Sequence, residues 1–203
     1  MATWHLIAGK PRQTILVVSP SGRQSGELVD KVKFFLAEAK QPVKGDGRNE
    51  SSILMPNGSR VIGLPGTDGT IRGFSAPDIL IIDEAARVDD ETYKAVKPSL
   101  AASNGVILLL STPCGQRGFF WEAWANGGPL WTRFSVTADQ CPRISRDFLA
   151  EERLTLHQSM YRQEYMCEFH ASDSQVFTPE MINACLTDEA PWDQTIQEFS
   201  LWQ

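Results

Sequence analysis

Three stretches of the chain are apolar without alternation: Thr14-Ile15-Leu16-Val17-Val18, Ile79-Leu80-Ile81-Ile82 and Val106-Ile107-Leu108-Leu109-Leu110. Runs of large aliphatics bounded by turn residues predict strands buried on both faces, as in the interior of a parallel sheet. After the first run, Arg23 to Lys40 carries Leu28, Val32, Phe35, Leu36 and Ala39 at helical spacing, with charged residues between them. Asp89-Asp90-Glu91 opens a second helix with Tyr93, Val96 and Leu100 on its apolar face, its acids placed where the helix dipole favours them. Ile53-Leu54-Met55 and Val61-Ile62-Gly63-Leu64 flank Asn57-Gly58 and read as a hairpin. Strands alternating with amphipathic helices predict an α/β fold with a mostly parallel sheet flanked by helices.

The rest of the pattern is less regular. The segment before Thr14 carries no clear element, and Gln41 to Glu50 is a polar loop. Gly63, Gly66, Gly69 and Gly73 predict a flexible loop that contains Arg72. Gly118 to Trp124 is a short aromatic-rich helix, whose rings are expected in the core rather than as a base-stacking platform. Trp131 to Val136 alternates like a strand with one wet face. Ser145 to Leu156 and His157 to Cys167 read as two helices, with His157 and His170 at the surface or in caps. Val176-Phe177-Thr178-Pro179-Glu180 has a helix-cap signature, and the acidic tail beyond it shows no element.

Composition narrows the class without naming a function. A chain of 203 residues is one domain able to bury roughly 70% of its unfolded surface. No apolar run reaches the roughly 20 residues of a membrane span, and the N-terminus is no signal peptide. The four cysteines are scattered with no zinc spacing, which predicts reduced packing residues in a cytoplasmic protein. A net charge of −6 argues against a large non-specific nucleic-acid surface but leaves room for a local basic patch.

Candidate chemistry gathers where two of the apolar runs end. Asp83 and Glu84 close the second, and ligands in open α/β sheets bind at the carboxyl ends of strands. An aspartate there can hold Mg²⁺ through one or two carboxylate contacts and water. The glutamate beside it can orient or deprotonate an attacking water. This is the form of a Walker B element; the same pair would also serve as a solvated acidic helix start. Ser111 and Thr112 follow the third run and can hydrogen-bond a terminal phosphate if the two strands are neighbours. Ser-Thr-Pro-x-Gly is equally a plain strand stop.

Taken in order, SPSGRQSGEL, TIRGFSAPDILIIDEAARV, LLLSTPCGQRGFFWEAW, CPRIS and RQEYMCEF resemble the ATPase domain of the large subunit of tailed-phage terminases. The similarity runs from about Ile15 to Phe177. It implies a RecA/ASCE-like sheet of the P-loop NTPase class, and a motor that couples ATP hydrolysis to moving DNA into a procapsid. By that resemblance Asp83 matches the acid holding the metal of Mg-ATP, and Glu84 the acid that activates water. Ser111 and Thr112 match the coupling element that senses the γ-phosphate, and Arg72 is a candidate arginine finger for a neighbouring subunit. Arg23 and Gln24 lie in a family phrase without an assigned role. The implied partners are double-stranded DNA, portal protein, the terminase small subunit and further copies in a ring, in the host cytoplasm.

Two departures qualify the resemblance. The only Gly-Lys pair, Gly9-Lys10, is followed by Pro11 and preceded by no predicted strand, so no P-loop is expected in this chain. Nor is the family's nuclease domain expected in it. Residues 1–177 are therefore expected to be a partial ATPase domain missing its P-loop strand, and 178–203 a tail corresponding to a linker. The competing expectations are a non-catalytic assembly piece from a split or decayed gene, with an exposed apolar sheet edge, and a superfamily 2 helicase-like fragment.

Overall fold

The three apolar runs fold as neighbouring parallel strands. In the computed structural model, which describes residues 1–66, 73–74, 76–170 and 184–185, these are β1 (Thr14–Ser19), β4 (Ile79–Asp83) and β5 (Val106–Leu110). The hairpin supplies β2 (Ser52–Leu54) and β3 (Arg60–Pro65), giving a five-stranded sheet in the order β2-β3-β1-β4-β5. Every pairing is parallel except β2 with β3. The predicted α/β class, with a mostly parallel sheet flanked by helices, is the class observed. The chain divides into Met1–His170 and Ala171–Gln203; of the second unit only Ala184 and Cys185 are described, both helical and exposed. The expectations for Arg72, for the cap at Val176–Glu180 and for the 178–203 tail lie outside the described residues.

Strand geometry splits the aliphatics between two cores, because successive side chains point to opposite faces. Leu16, Val18, Leu80 and Ile82 face one layer, where Tyr93 and Val96 of α3 (Asp90–Val96) and Phe119 and Phe120 of α4 (Gly118–Ala125) close over them. Ile15, Val17, Ile79 and Ile81 face the other, covered by Val29, Val32 and Leu36 of α2 (Gly22–Glu38). Each fully buried aliphatic contributes about 1.5–3 kcal/mol, so the uninterrupted runs are what a sheet covered on both sides requires. The aromatic helix is core on its inner face: Tyr93 and Phe119 stack with centroids 4.2 Å apart. Asp90, at the start of α3, accepts the Phe119 N–H at 2.8 Å and so fixes α4 to α3.

Several details differ from the sequence expectation. The N-terminal segment forms α1 (Ala2–Ala8), which buries Ala2 and Leu6 beside α2 and precedes Gly9-Lys10. The buried stripe of α2 is Ser25, Val29, Val32 and Leu36, whereas Phe35 is exposed. The helical period holds, but the stripe lies one position away from Leu28 and Phe35. Gly63, read both as hairpin and as the start of the glycine loop, belongs to β3 of the hairpin, where a Cβ would meet the Ser25 carbonyl and Val29 at 3.1 Å. Trp131–Val136 is not a strand. It pairs with no described strand and runs as irregular chain anchored by Arg133, whose guanidinium donates to the carbonyls of Ala123, Gly128 and Trp131. The last two helices are α5 (Arg146–Thr155), capped by Ser145, and α6 (Gln158–Met166), capped by the His157 ring. All four cysteines are free thiols.

The larger difference concerns β5. Its VILLL run predicts burial on both faces, yet Val106 is 58% and Leu110 47% exposed. The cause is position. Among the described residues β5 pairs only with β4, leaving its other edge unpaired. A groove of about 590 Å³ runs along that edge, walled by Trp124, Trp131, Phe134 and Val136.

The polar loop before β2 is held by one carboxylate. Asp46 accepts from the amides of Arg48 and Asn49, from the Asn49 side chain and from the Ser52 hydroxyl, at 2.7–2.9 Å. Burial pushes this carboxyl up, but the hydrogen bonds outweigh it and hold the group well below its usual 3.8. A depressed folded value means that the contribution is complete above the unfolded value and is lost as the pH falls through the folded one. Asp46→Asn is expected to lower stability at pH 7 by about 1 kcal/mol in urea denaturation. The difference from the unsubstituted chain should shrink below about pH 4; a difference that grows in acid would contradict the assignment.

Candidate functional site

The site is built by the pairing of β4 with β5, which sets Asp83 opposite Leu110. Whatever follows each strand therefore emerges at the same end of the sheet. After Asp83 the backbone turns sharply: Glu84 sits in the left-handed region with φ 52° and ψ 42°, followed by a 3-10 turn at Ala85–Arg87. A glutamate there is strained by about 1 kcal/mol or more, so its surroundings must hold it. Ala85 anchors the turn in the core at 1% exposure. The Arg87 amide donates to the Glu84 carbonyl at 2.8 Å, and the Ala86 amide to the Ser111 hydroxyl at 3.2 Å. Ser111 in turn donates to the Thr112 carbonyl at 2.7 Å. The hydroxyl after β5 thus holds the acidic turn after β4.

Four of the residues singled out in the sequence come together in this way. Asp83, Glu84, Ser111 and Thr112 stand at adjacent strand tips, each partly exposed. Arg72 is not among the described residues. The structure adds two that sequence reasoning missed. The Arg87 guanidinium donates from one nitrogen to Glu84 at 2.9 Å and to Thr112 Oγ1 at 3.1 Å. Its other terminal nitrogen donates to Glu164 of α6 at 2.9 Å. Arg87 was legible as the basic residue three positions after the glutamate, but Glu164, 77 residues further on, carries no local signal.

No group of three or more histidine, cysteine or acidic side chains capable of holding a metal occurs among the described residues. That excludes a protein-only cage there, but it suits Mg²⁺, which uses one or two carboxylates, water and substrate phosphates. Asp83 supplies a carboxylate of that kind. Phosphate is served less well: Arg87, a cation at these tips, is already paired with Glu84 and Glu164. The residues described here fit a metal ion better than they fit a polyphosphate.

A mostly parallel sheet that gathers two acids and two hydroxyls at its carboxyl edge defines an α/β protein with a candidate site at its strand tips. The chain belongs to the terminase large subunit family: the family model "Terminase large subunit, T4likevirus-type, N-terminal" matches residues 1–184. It is 26% identical over 178 residues to the terminase large subunit of Escherichia phage T5, covering 83% of this chain and 40% of that protein. It is 29% identical over 212 residues to the large subunit of Thermus phage G20c, covering 87% and 44% respectively. The chain thus spans less than half the length of these relatives. Among solved structures it resembles the large terminase ATPase domain of Thermus phage P74-26, with TM-score 0.70, 24% identity, and coverage of 83% of this chain and 81% of that one. It resembles equally in fold the large terminase of a thermophilic bacteriophage in complex with ADP, with TM-score 0.70 and 12% identity over 83% and 43% of the two chains.

The Ser111 hydroxyl is the acceptor for the Ala86 amide of the acidic turn. Ser111→Ala is expected to cost about 1 kcal/mol in chemical denaturation. A loss indistinguishable from zero would show that the turn does not depend on it.

Proposed function

We propose that this chain is the ATPase-domain portion of a viral DNA-packaging motor, coupling ATP hydrolysis to translocation of double-stranded DNA into a procapsid. The observation that carries the reading is the meeting of Asp83 and Glu84 with Ser111 and Thr112 at adjacent tips of β4 and β5. Mg²⁺, held by Asp83 with the nucleotide's phosphates, would neutralise charge on those phosphates. Glu84, placed one residue beyond, orients water and accepts its proton. Ser111 and Thr112 lie where a terminal phosphate would be sensed, and Ser111 is already bonded to the turn that carries Glu84. Arg72 would act as the finger into a neighbouring copy's site. A ring of such copies, with portal protein and the terminase small subunit, would work in the host cytoplasm. No helix among the described residues is long and apolar enough to cross a membrane.

On this reading the phosphate holder is supplied from outside the described residues. The described residues offer no glycine-rich turn that follows a strand and ends in lysine, and Gly9-Lys10 follows α1 instead. The free edge of β5 accommodates one more strand beside the site, and a loop at the end of such a strand would bring backbone amides to the phosphates.

Two measurements test this reading. The purified chain alone is expected to turn over negligible ATP, because Asp83-bound magnesium does not replace amides and lysine around the phosphates. Robust turnover that depends on Glu84 would refute the missing-holder part. In an ATP-hydrolysing assembly containing this chain, Glu84→Gln is expected to slow turnover by roughly 10²- to 10⁴-fold. Unchanged turnover would remove Glu84 from its role.

A further inference from the structure

Arg87 brings helix α6 into contact with the two strand tips that the Ala86–Ser111 hydrogen bond already joins. Its guanidinium holds Glu84 after β4, Thr112 after β5 and Glu164 on α6, at 2.9, 3.1 and 2.9 Å. A guanidinium spreads its donors over separate nitrogens in a rigid plane, so one side chain reaches partners on two sides at fixed geometry, which the single nitrogen of a lysine does not reproduce. Glu84 stands in a left-handed backbone conformation, and its carboxylate accepts from Arg87. Glu164 thereby links α6 to the strand tips.

We propose that Arg87 is a positioning residue that fixes the Glu84 carboxylate and ties its orientation to helix α6 through Glu164. Displacing Glu164 releases one arm of the guanidinium and loosens Glu84, while a change at Glu84 is felt on α6. The consequence for hydrolysis rests on the proposed nucleotide site, whereas the mechanical link does not.

The link is read on the chain as it stands, by hydrogen–deuterium exchange of the α6 amides. Glu84→Gln is expected to speed exchange across Gln158–Met166 by roughly two- to fivefold, the scale of a partly exposed ion pair, although Glu84 hydrogen-bonds Arg87 and not α6. Arg87→Gln should give at least the same acceleration, and adding Glu84→Gln to it should change nothing further. Exchange unaffected by Glu84→Gln, or affected equally when Arg87 is already replaced, overturns the proposal. The consequence is read in an ATP-hydrolysing assembly containing this chain. Arg87→Gln should lower kcat about tenfold and Glu164→Gln severalfold, with KM within about twofold, and Arg87→Lys should recover part of the loss. A rise in KM at constant kcat for Arg87→Gln, with Glu164→Gln silent, would make Arg87 a phosphate ligand and overturn the positioning role. If Glu84→Gln itself left turnover unchanged, the nucleotide reading would fall, and the exchange experiment alone would decide the link.

Discussion

The register between β4 and β5 is the constraint on which the site depends. Because successive side chains alternate in direction, a slip of one residue would send every core aliphatic of one strand to the wrong face. Both strands are continuous aliphatic runs, so alternation alone does not fix the register. The chain on either side does. The Val106 amide bonds to the Asp78 carbonyl, while Asp78 accepts the Thr14 amide on its carboxylate and bonds through its own amide to the Thr14 carbonyl. Asp78 therefore ties β1, β4 and β5 at their starting ends. With the strands of similar length, their far ends fall level, and Asp83 and Ser111 emerge side by side. A local arrangement at one end of the sheet thus sets the chemistry at the other.

The same sheet explains why an interior-type strand lies open. β1 and β4 each pair on both sides and bury nearly all their side chains, whereas β5, of equal apolarity, has an edge unpaired among the described residues, beside exposed Phe134 and Leu130. Edges that are meant to remain free are generally blunted with charge, proline or bulges. β5 has none of these along Val106–Leu110. Its composition suits a strand with neighbours on both sides, and its C-terminal end leads into Ser111, where the described residues supply no glycine-rich turn with a lysine to cradle a phosphate. The unfilled structural position and the unfilled chemical one are therefore adjacent. An exposed apolar edge is expected equally of a motor segment and of a non-catalytic assembly piece, so the edge alone does not separate them. The family match and the meeting of the acids with the hydroxyls favour the motor.

Much of the fold was legible because it rests on patterns spanning a few residues. The three aliphatic runs, the Asn-Gly turn and the acidic start of α3 each carry their physical cause within a short window. What was misread depended on distant neighbours. Trp131–Val136 alternates correctly for a strand but pairs with none: it walls the groove beside the β5 edge as irregular chain, held by Arg133. Val106–Leu110 has the composition of a buried strand but occupies an edge. Phe35 lies at helical spacing yet just outside the stripe that Val29, Val32 and Leu36 bury. The acids and hydroxyls of the site were legible as strand ends, but their contact was not, because it required the order of the strands. Glu164 could not have been found from the sequence at all, since only the packing of α6 brings it to Arg87.

That last contact shows what weak interactions do at a functional edge. The ion pairs of Arg87 with Glu84 and Glu164 involve side chains roughly 35–38% exposed. Pairs of this kind contribute about 0–1 kcal/mol each, a small fraction of the stability of a domain. The sheet and its two cores therefore do not need Arg87. Its place is where a small energy has leverage, beside a glutamate in a strained backbone conformation whose carboxylate is oriented by that guanidinium. A deeply buried ion pair would hold Glu84 more firmly but would be costly to rearrange. A partly solvated guanidinium shared among three acceptors can be repartitioned by changes comparable to thermal energy. Such a connection suits an acid whose orientation has to answer to another element rather than be fixed once by folding.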